Sequence, residues 1–159
     1  MLSSSQRFAA AGALAIGAVL VALVTQYGFD MQPCPWCILQ RLQFVVAGVL
    51  ALAAAAITAR PARWLLGGLA IAVCLSGIAA ALYQHFVAAK LASCALTFAD
   101  RFLNALNVEK WWPAVFQVRG SCADAAVDLL GLPYEFWSLG VFAITALVLT
   151  SALISRSRR

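Results

Sequence analysis

Apolar residues fill this chain in four long stretches, separated by short polar breaks and one long mixed segment. Phe8 to Val24 holds 17 residues without a charge, Trp64 to Tyr83 holds 20 and Phe136 to Ile154 holds 19. Each lies within the roughly 17–25 residues that an α-helix needs to cross a bilayer. A fourth run, Phe44 to Ile57, has 14 and is short alone, but arginines flank it. Arg41 and Arg60 are 19 positions apart, about 28 Å at ~1.5 Å per residue, close to a hydrocarbon thickness of ~30 Å. The second helix therefore spans with one arginine at each membrane boundary. The pattern predicts an all-α membrane protein, a four-helix transmembrane bundle forming one domain over 1–159. Its spans are expected at about 8–27, 41–58, 64–84 and 136–155, with outer loops at about 28–40 and 85–135.

The breaks have local causes. Gly28, Asp30 and Pro33 end the first helix, because glycine and proline punctuate helical patterns. The first apolar run exceeds the 7–15 residues of a signal-peptide core, and Thr25-Gln26-Tyr27-Gly28 offers no small-residue cleavage site. A retained first span is expected. Gly12, Gly17, Gly67, Gly68, Gly77 and the alanines at 53–56 suit close helix contact in lipid. In the second outer loop, 103–116 mixes Leu103, Leu106, Val108, Trp111, Trp112 and Phe116 with Asn104, Asn107, Glu109 and Lys110. Tryptophan favours the membrane–water boundary, so a short horizontal interfacial helix is expected there. Packing against the top of the bundle is the plainer alternative. Ser121-Cys122-Ala123-Asp124 has the form of a helix-capping box, and Gly131 is placed to end the short helix that would follow.

Composition agrees with the pattern. Hydrophobic residues make up 64% of the chain and charged ones 11%, with a mean hydropathy of +0.92; soluble domains carry about 25% charged residues. The net charge of +5 would ordinarily raise nucleic acid as a partner, but its distribution does not. Arg7, Arg60, Arg63, Arg156, Arg158 and Arg159 share one side of a four-span topology with no acid. Arg41, Lys90, Arg101, Lys110 and Arg119 share the other with all six acids. Lysine and arginine near span ends favour the cytoplasmic face. Both termini are therefore expected to be cytoplasmic, and the charge records topology.

This orientation places Cys34 and Cys37 in the first outer loop and Cys94 and Cys122 in the second, in a compartment where disulfides persist. Cys74, mid-span, reads as a packing residue. In Cys34-Pro35-Trp36-Cys37, proline suits the first helical position, which makes Cys34 the cap and Cys37 the third helical residue. Partial positive charge at a helix N-terminus stabilises thiolates, and Cys122, just after its own cap, would gain likewise. Arg41 lies four residues beyond Cys37, on the same helix face. Zinc would want four ligands at finger-like spacing, which the wide separation of Cys37, Cys94 and Cys122 does not offer. Two inert structural disulfides, and a membrane thiol–disulfide relay, both remain. A relay needs an acceptor. Neither a haem or iron–sulfur ligand pattern nor a dinucleotide fingerprint is present, which leaves a lipid-soluble carrier such as a quinone. Arg41 can donate hydrogen bonds to such a carrier, or can snorkel to lipid phosphate. His85, at the outer end of the third span, can assist proton uptake or serve as an interfacial residue.

At these residues the chain resembles the DsbB family of bacterial membrane thiol oxidoreductases, which reoxidise the periplasmic dithiol protein DsbA. The likeness runs through Cys34-Pro-Trp-Cys37-Ile-Leu-Gln-Arg41, Gln84-His85, Cys94 and Lys110-Trp-Trp-Pro-Ala-Val-Phe116. It continues through Gly120-Ser-Cys122-Ala, Leu130-Gly-Leu132 and Trp137-Ser-Leu-Gly140. It implies an inner-membrane bundle in which Cys94 and Cys122 face a DsbA-like partner, with Cys94 attacked first. Electrons would pass through a Cys34–Cys122 interloop disulfide to Cys34–Cys37, and from Cys37 to a ubiquinone or menaquinone beside Arg41, with His85 a second quinone-site residue. The remaining alternatives are a four-span protein with two inert disulfides and a reductase resembling vitamin K epoxide reductase.

Overall fold

The computed structural model of the chain describes residues 2–90 and 97–154. Four long helices dominate it: α1 (Ser4–Gly28), α2 (Pro35–Ala56), α3 (Arg60–Phe86) and α7 (Tyr134–Ile154). Each is long and apolar enough to cross a membrane. They pack in a ring, α1 on α2, α2 on α3, α3 on α7 and α7 back on α1. The arrangement is that of a four-helix membrane bundle.

In lipid, burial of apolar surface does not hold helices together; close packing does. Gly12 of α1 and Gly48 of α2 sit face to face. A methyl on Gly12 would lie 2.7 Å from Leu52, and one on Gly48 would lie 2.8 Å from Ile16. At the bundle centre the rings of Phe44 (α2) and Phe142 (α7) stack with centroids 3.7 Å apart. Gly77 of α3 makes room for that stack, since a methyl there would meet the Phe142 ring at 2.4–2.6 Å. Overpacking a filled core costs about 1–3 kcal/mol. Gly77→Ala is therefore expected to destabilise the bundle by roughly that amount, read as a lower denaturation midpoint in detergent. An unchanged midpoint would mean that the Phe142 ring shifts freely.

Between α3 and α7 the chain forms a short 3₁₀ turn (Ala88–Lys90) and three small helices: α4 (Phe98–Leu106), α5 (Val108–Trp111) and α6 (Pro113–Phe116). The stretch expected as one interfacial helix is thus broken. Asn107 turns left-handed (φ 52°) and ends α4, and Pro113 opens α6. Leu103, Val108, Val115 and Phe116 are buried, while Trp111 and Trp112 are exposed. The segment therefore both packs on the bundle and presents tryptophans outward.

The Ser121 cap forms, but no helix grows from it. Ser121 Oγ accepts from Asp124 N at 3.2 Å and donates to Asp124 Oδ2 at 2.6 Å, and the chain then makes only a turn. Gly131 serves a hairpin instead. It follows Leu130 between β1 (Asp128–Leu129) and β2 (Leu132–Pro133), with φ of 56° at Leu130 and 81° at Gly131. Two successive positive φ values are those of a type I′ hairpin loop, which glycine accommodates without strain. The hairpin feeds directly into α7.

Candidate functional site

The site is built at the end of the bundle where α2 begins. Cys34 is the N-cap of α2 and Pro35 its first residue, as the spacing predicts. Cys37 N donates to Cys34 Sγ at 3.3 Å, and the two sulfurs lie 2.8 Å apart as free thiols. The second loop is tied to the first just before this point. Arg119 N and Gly120 N both donate to Pro33 O, at 3.0 and 3.2 Å. Gly120 rests against Gln32, where even a methyl would be in contact. Two residues later Cys122 reaches the same helix end and packs in one buried cluster with Cys34 and Trp36, with Cys37 against it. Three sulfurs from two loops thus share the N-terminus of α2.

Their electrostatics differ. Cys34 is 0% exposed, and burial, followed by the neighbouring sulfurs of Cys122 and Cys37, pushes its thiol well above the ordinary range. Hydrogen bonding from Cys34, aided by the Trp36 N–H, brings the Cys122 thiol down. The sequence led us to expect thiolate character at Cys34 from the helix end. Full burial outweighs that partial charge at Cys34, and the lowered thiol is that of its neighbour Cys122. Cys94 lies outside the described residues. Cys74 is buried in the bundle core, away from this cluster.

Cys37 opens onto a cavity of about 700 Å³ between α1, α2 and α7. Its lower wall is apolar, from Ala13, Gly17, Ala18, Val21, Phe44 and Val141; its upper wall carries Gln40, Arg41, Gln84, Tyr134 and Glu135. Arg41 is only 6% exposed, so it does not snorkel. Its Nη1 donates to Gln26 Oε1 at 2.5 Å and to Val115 O at 3.0 Å, and its Nη2 to Ala22 O at 3.1 Å. A guanidinium has five N–H donors. Three are spent on α1 and α6, which fixes the group in place, and two have no partner among the described residues.

A polar chain that the site expectations did not include supports Cys37. Gln40 Nε2 donates to Gln84 Oε1 at 2.7 Å, and Gln84 Nε2 donates to Cys37 Sγ at 3.3 Å. Polar residues inside spans are costly and mark functional positions. Gln26, Gln40 and Gln84, polar residues just beyond the ends of apolar runs, were the available signal. His85 does not line the cavity. Its Nδ1 faces Glu135 Oε1 at 2.6 Å, and it is Glu135 that reaches the cavity wall.

Known proteins match this chain along nearly its whole length. The sequence model of the family described as "Disulfide bond formation protein DsbB" matches residues 4–152. Disulfide bond formation protein B of Ralstonia nicotianae is 39% identical over 147 residues, covering 92% of this chain and 91% of that protein. The protein of the same name from Cupriavidus necator is 36% identical, covering 91% and 89%. Disulfide bond formation protein B 1 of Pseudomonas putida is 33% identical, covering 93% and 88%. With four membrane-length helices and a thiol cluster at one end of the bundle, the chain belongs to the DsbB family of membrane disulfide bond formation proteins.

Proposed function

We propose that this protein makes disulfides for a periplasmic DsbA-like dithiol protein and passes the electrons to a membrane quinone. The observation that carries this reading is the position of Cys37. It stands at the junction of a three-sulfur cluster and an apolar cavity that Arg41 walls. A quinone fits these residues: its ring oxygens are acceptors for the two unspent N–H groups of Arg41, and the apolar wall suits a hydrocarbon tail. Leu14 and Val21, also in the wall, are exposed on the flank of the bundle, so the cavity is open towards lipid. Bound there, a quinone supplies a sink for two electrons and two protons.

The chain's own steps are thiolate exchanges. Partner attack on Cys94 of a Cys94–Cys122 disulfide leaves a mixed disulfide at Cys94 and frees the Cys122 thiolate. That thiolate attacks Cys34 of a Cys34–Cys37 disulfide, forming Cys34–Cys122 and releasing Cys37 as a thiolate beside Gln84 and Arg41. The partner's second thiol then displaces Cys94, which attacks Cys122 and leaves Cys34 and Cys37 reduced. A leaving sulfur with a low pKa departs faster, and the lowered Cys122 thiol suits that role. The charge asymmetry of the loops supports an inner-membrane orientation with both termini in the cytoplasm, which puts the cluster in the periplasm. The exposed Trp111 and Trp112 support a membrane-surface position for α5 and α6.

In detergent with a soluble quinone, the purified protein is expected to oxidise a reduced thioredoxin-like dithiol protein, consuming one quinone per disulfide formed. No quinone consumption, with quinone epoxide reduced instead, would overturn this reading in favour of an epoxide reductase. Cysteines inert to the partner would favour structural disulfides.

A further inference from the structure

His85 and Glu135 form the one close pairing of a basic with an acidic side chain among the described residues, and they are differently placed. The His85 side chain is 31% exposed, whereas that of Glu135 is 3% exposed. The imidazole lies among the rings of Phe86 and Phe136, with centroids 4.9 and 4.7 Å away, and turns its Nδ1 towards Glu135 Oε1. Glu135 lines the cavity with Cys37, Arg41 and Gln84. Its second oxygen, Oε2, is buried without a hydrogen-bond partner. A buried polar atom left unpaired is costly, and carboxylates are seldom fully buried unless paired; here one oxygen is paired and the other is not.

We propose that Glu135 is a proton-carrying residue that connects His85, at the protein surface, to the cavity beside Cys37. This rests on the quinone reading above and deepens it. Closing the Cys34–Cys37 disulfide sends two electrons into the cavity, and two protons must accompany them. With Cys37 released as a thiolate, the Cys34 thiol yields only one. The second left for the medium when the thiolate formed, and it has to return. His85 gives the proton on Nδ1 to Glu135 Oε1, and the carboxyl presents it to an acceptor in the cavity. The proton that His85 gives up is replaced by one taken from water outside, so the ring ends as it began. The other titratable groups on the cavity wall are Asp30, Cys37, Arg41, Asp124 and Tyr134, and Asp30 accepts from Gln32 Nε2. Tyr134 is held by Thr25 Oγ1 at 3.0 Å, Arg41 has no proton to spare at working pH, and Asp124 is bonded to Ser121. Glu135 alone joins the cavity to an exposed imidazole.

The test uses Glu135→Gln, which keeps the shape and an oxygen facing His85 but cannot relay. Because the chain contains one histidine, ¹⁵N-histidine labelling reports His85 alone. In quinone-free protein, the substitution is expected to alter the imidazole's titration and to remove a buried carboxyl band from the infrared spectrum. With quinone, kcat for quinone reduction should fall about 10²-fold, the scale of a lost proton-transfer group. KM for quinone and the rate of thiol exchange with the partner should stay within about threefold, far below that loss. Added formate should restore part of kcat, which it would not do for a merely structural defect. Glu135→Asp should retain more activity than Glu135→Gln. Wild-type kcat in Glu135→Gln, an unaltered imidazole titration, or a loss that formate does not relieve would each overturn the relay while quinone reduction by the wild type stands. If the wild type reduces no quinone, the parent reading fails and the relay with it.

Discussion

Cys37→Ser is expected to stop quinone-dependent oxidation of a dithiol partner while leaving the first exchange intact. Cys37 lies on α2 between the sulfur cluster and the cavity, 2.8 Å from Cys34 Sγ and within reach of the Gln84 amide. Serine preserves the helix and the small volume but cannot form a disulfide or release a thiolate. Steady-state turnover should fall by roughly 10³-fold or more, the scale seen when one member of a nucleophilic constellation is removed. The stoichiometry is more informative than the rate. Without quinone, fully oxidised wild-type protein stores two disulfides and should oxidise two equivalents of partner. The variant retains one disulfide among its remaining outer cysteines and should oxidise one equivalent, then stop. Cys74→Ala, in the bundle core, is the control and should give both equivalents. Two equivalents from Cys37→Ser would remove this residue from the route.

The four helices could be read from the sequence because a membrane offers few solutions: an apolar run of span length has little choice but to be a helix. The N-terminus of α2 was equally legible, since a proline after a small polar residue marks a helix start by local geometry alone. The hairpin at Leu130–Gly131 was not. A capping pattern ten residues earlier suggested a helix. That cap closes on itself through Ser121 and Asp124, and the chain is then drawn into docking Cys122 against α2. The convergence of Cys122 on Cys34 depends on two backbone hydrogen bonds to Pro33 O, and backbone bonds leave no trace in residue identity. The support around Cys37 was half visible. Gln26, Gln40 and Gln84 are polar residues just beyond the ends of apolar runs, but their partners lie on other elements. Arg41 was singled out from spacing, with lipid phosphate as one possible partner; the structure turns it inward because α1 and α6 offer three acceptors. His85 was placed at the quinone site by resemblance, and its partner in the structure is Glu135.

Arg41→His is expected to raise the KM for quinone about tenfold or more, with thiol exchange at the cysteine cluster changed by less than about threefold. Each N–H donated to an acceptor from a charged group is worth about 1.5–3 kcal/mol, and losing one such bond at the cavity accounts for a tenfold change. Histidine is shorter and cannot span the gap to Gln26, Ala22 and Val115 while still presenting donors to the cavity. Ala22 O keeps its bond from Thr25 Oγ1, but Gln26 Oε1 and Val115 O would lose a partner, at about 1–3 kcal/mol for each one left buried and unpaired. Some loss of thermal stability should therefore accompany the kinetic effect. Arg41→Lys separates the two consequences. It retains the positive charge and removes the fixed fork that addresses two helices at once. If charge near the cavity dominates, Arg41→Lys should restore most of the quinone affinity; if positioned donors dominate, it should resemble Arg41→His. The placement of the guanidinium, with three donors fixed and two directed by that anchoring, favours the second outcome. Equal impairment of quinone use and partner exchange in both variants would instead mark Arg41 as a strut between α1, α2 and α6.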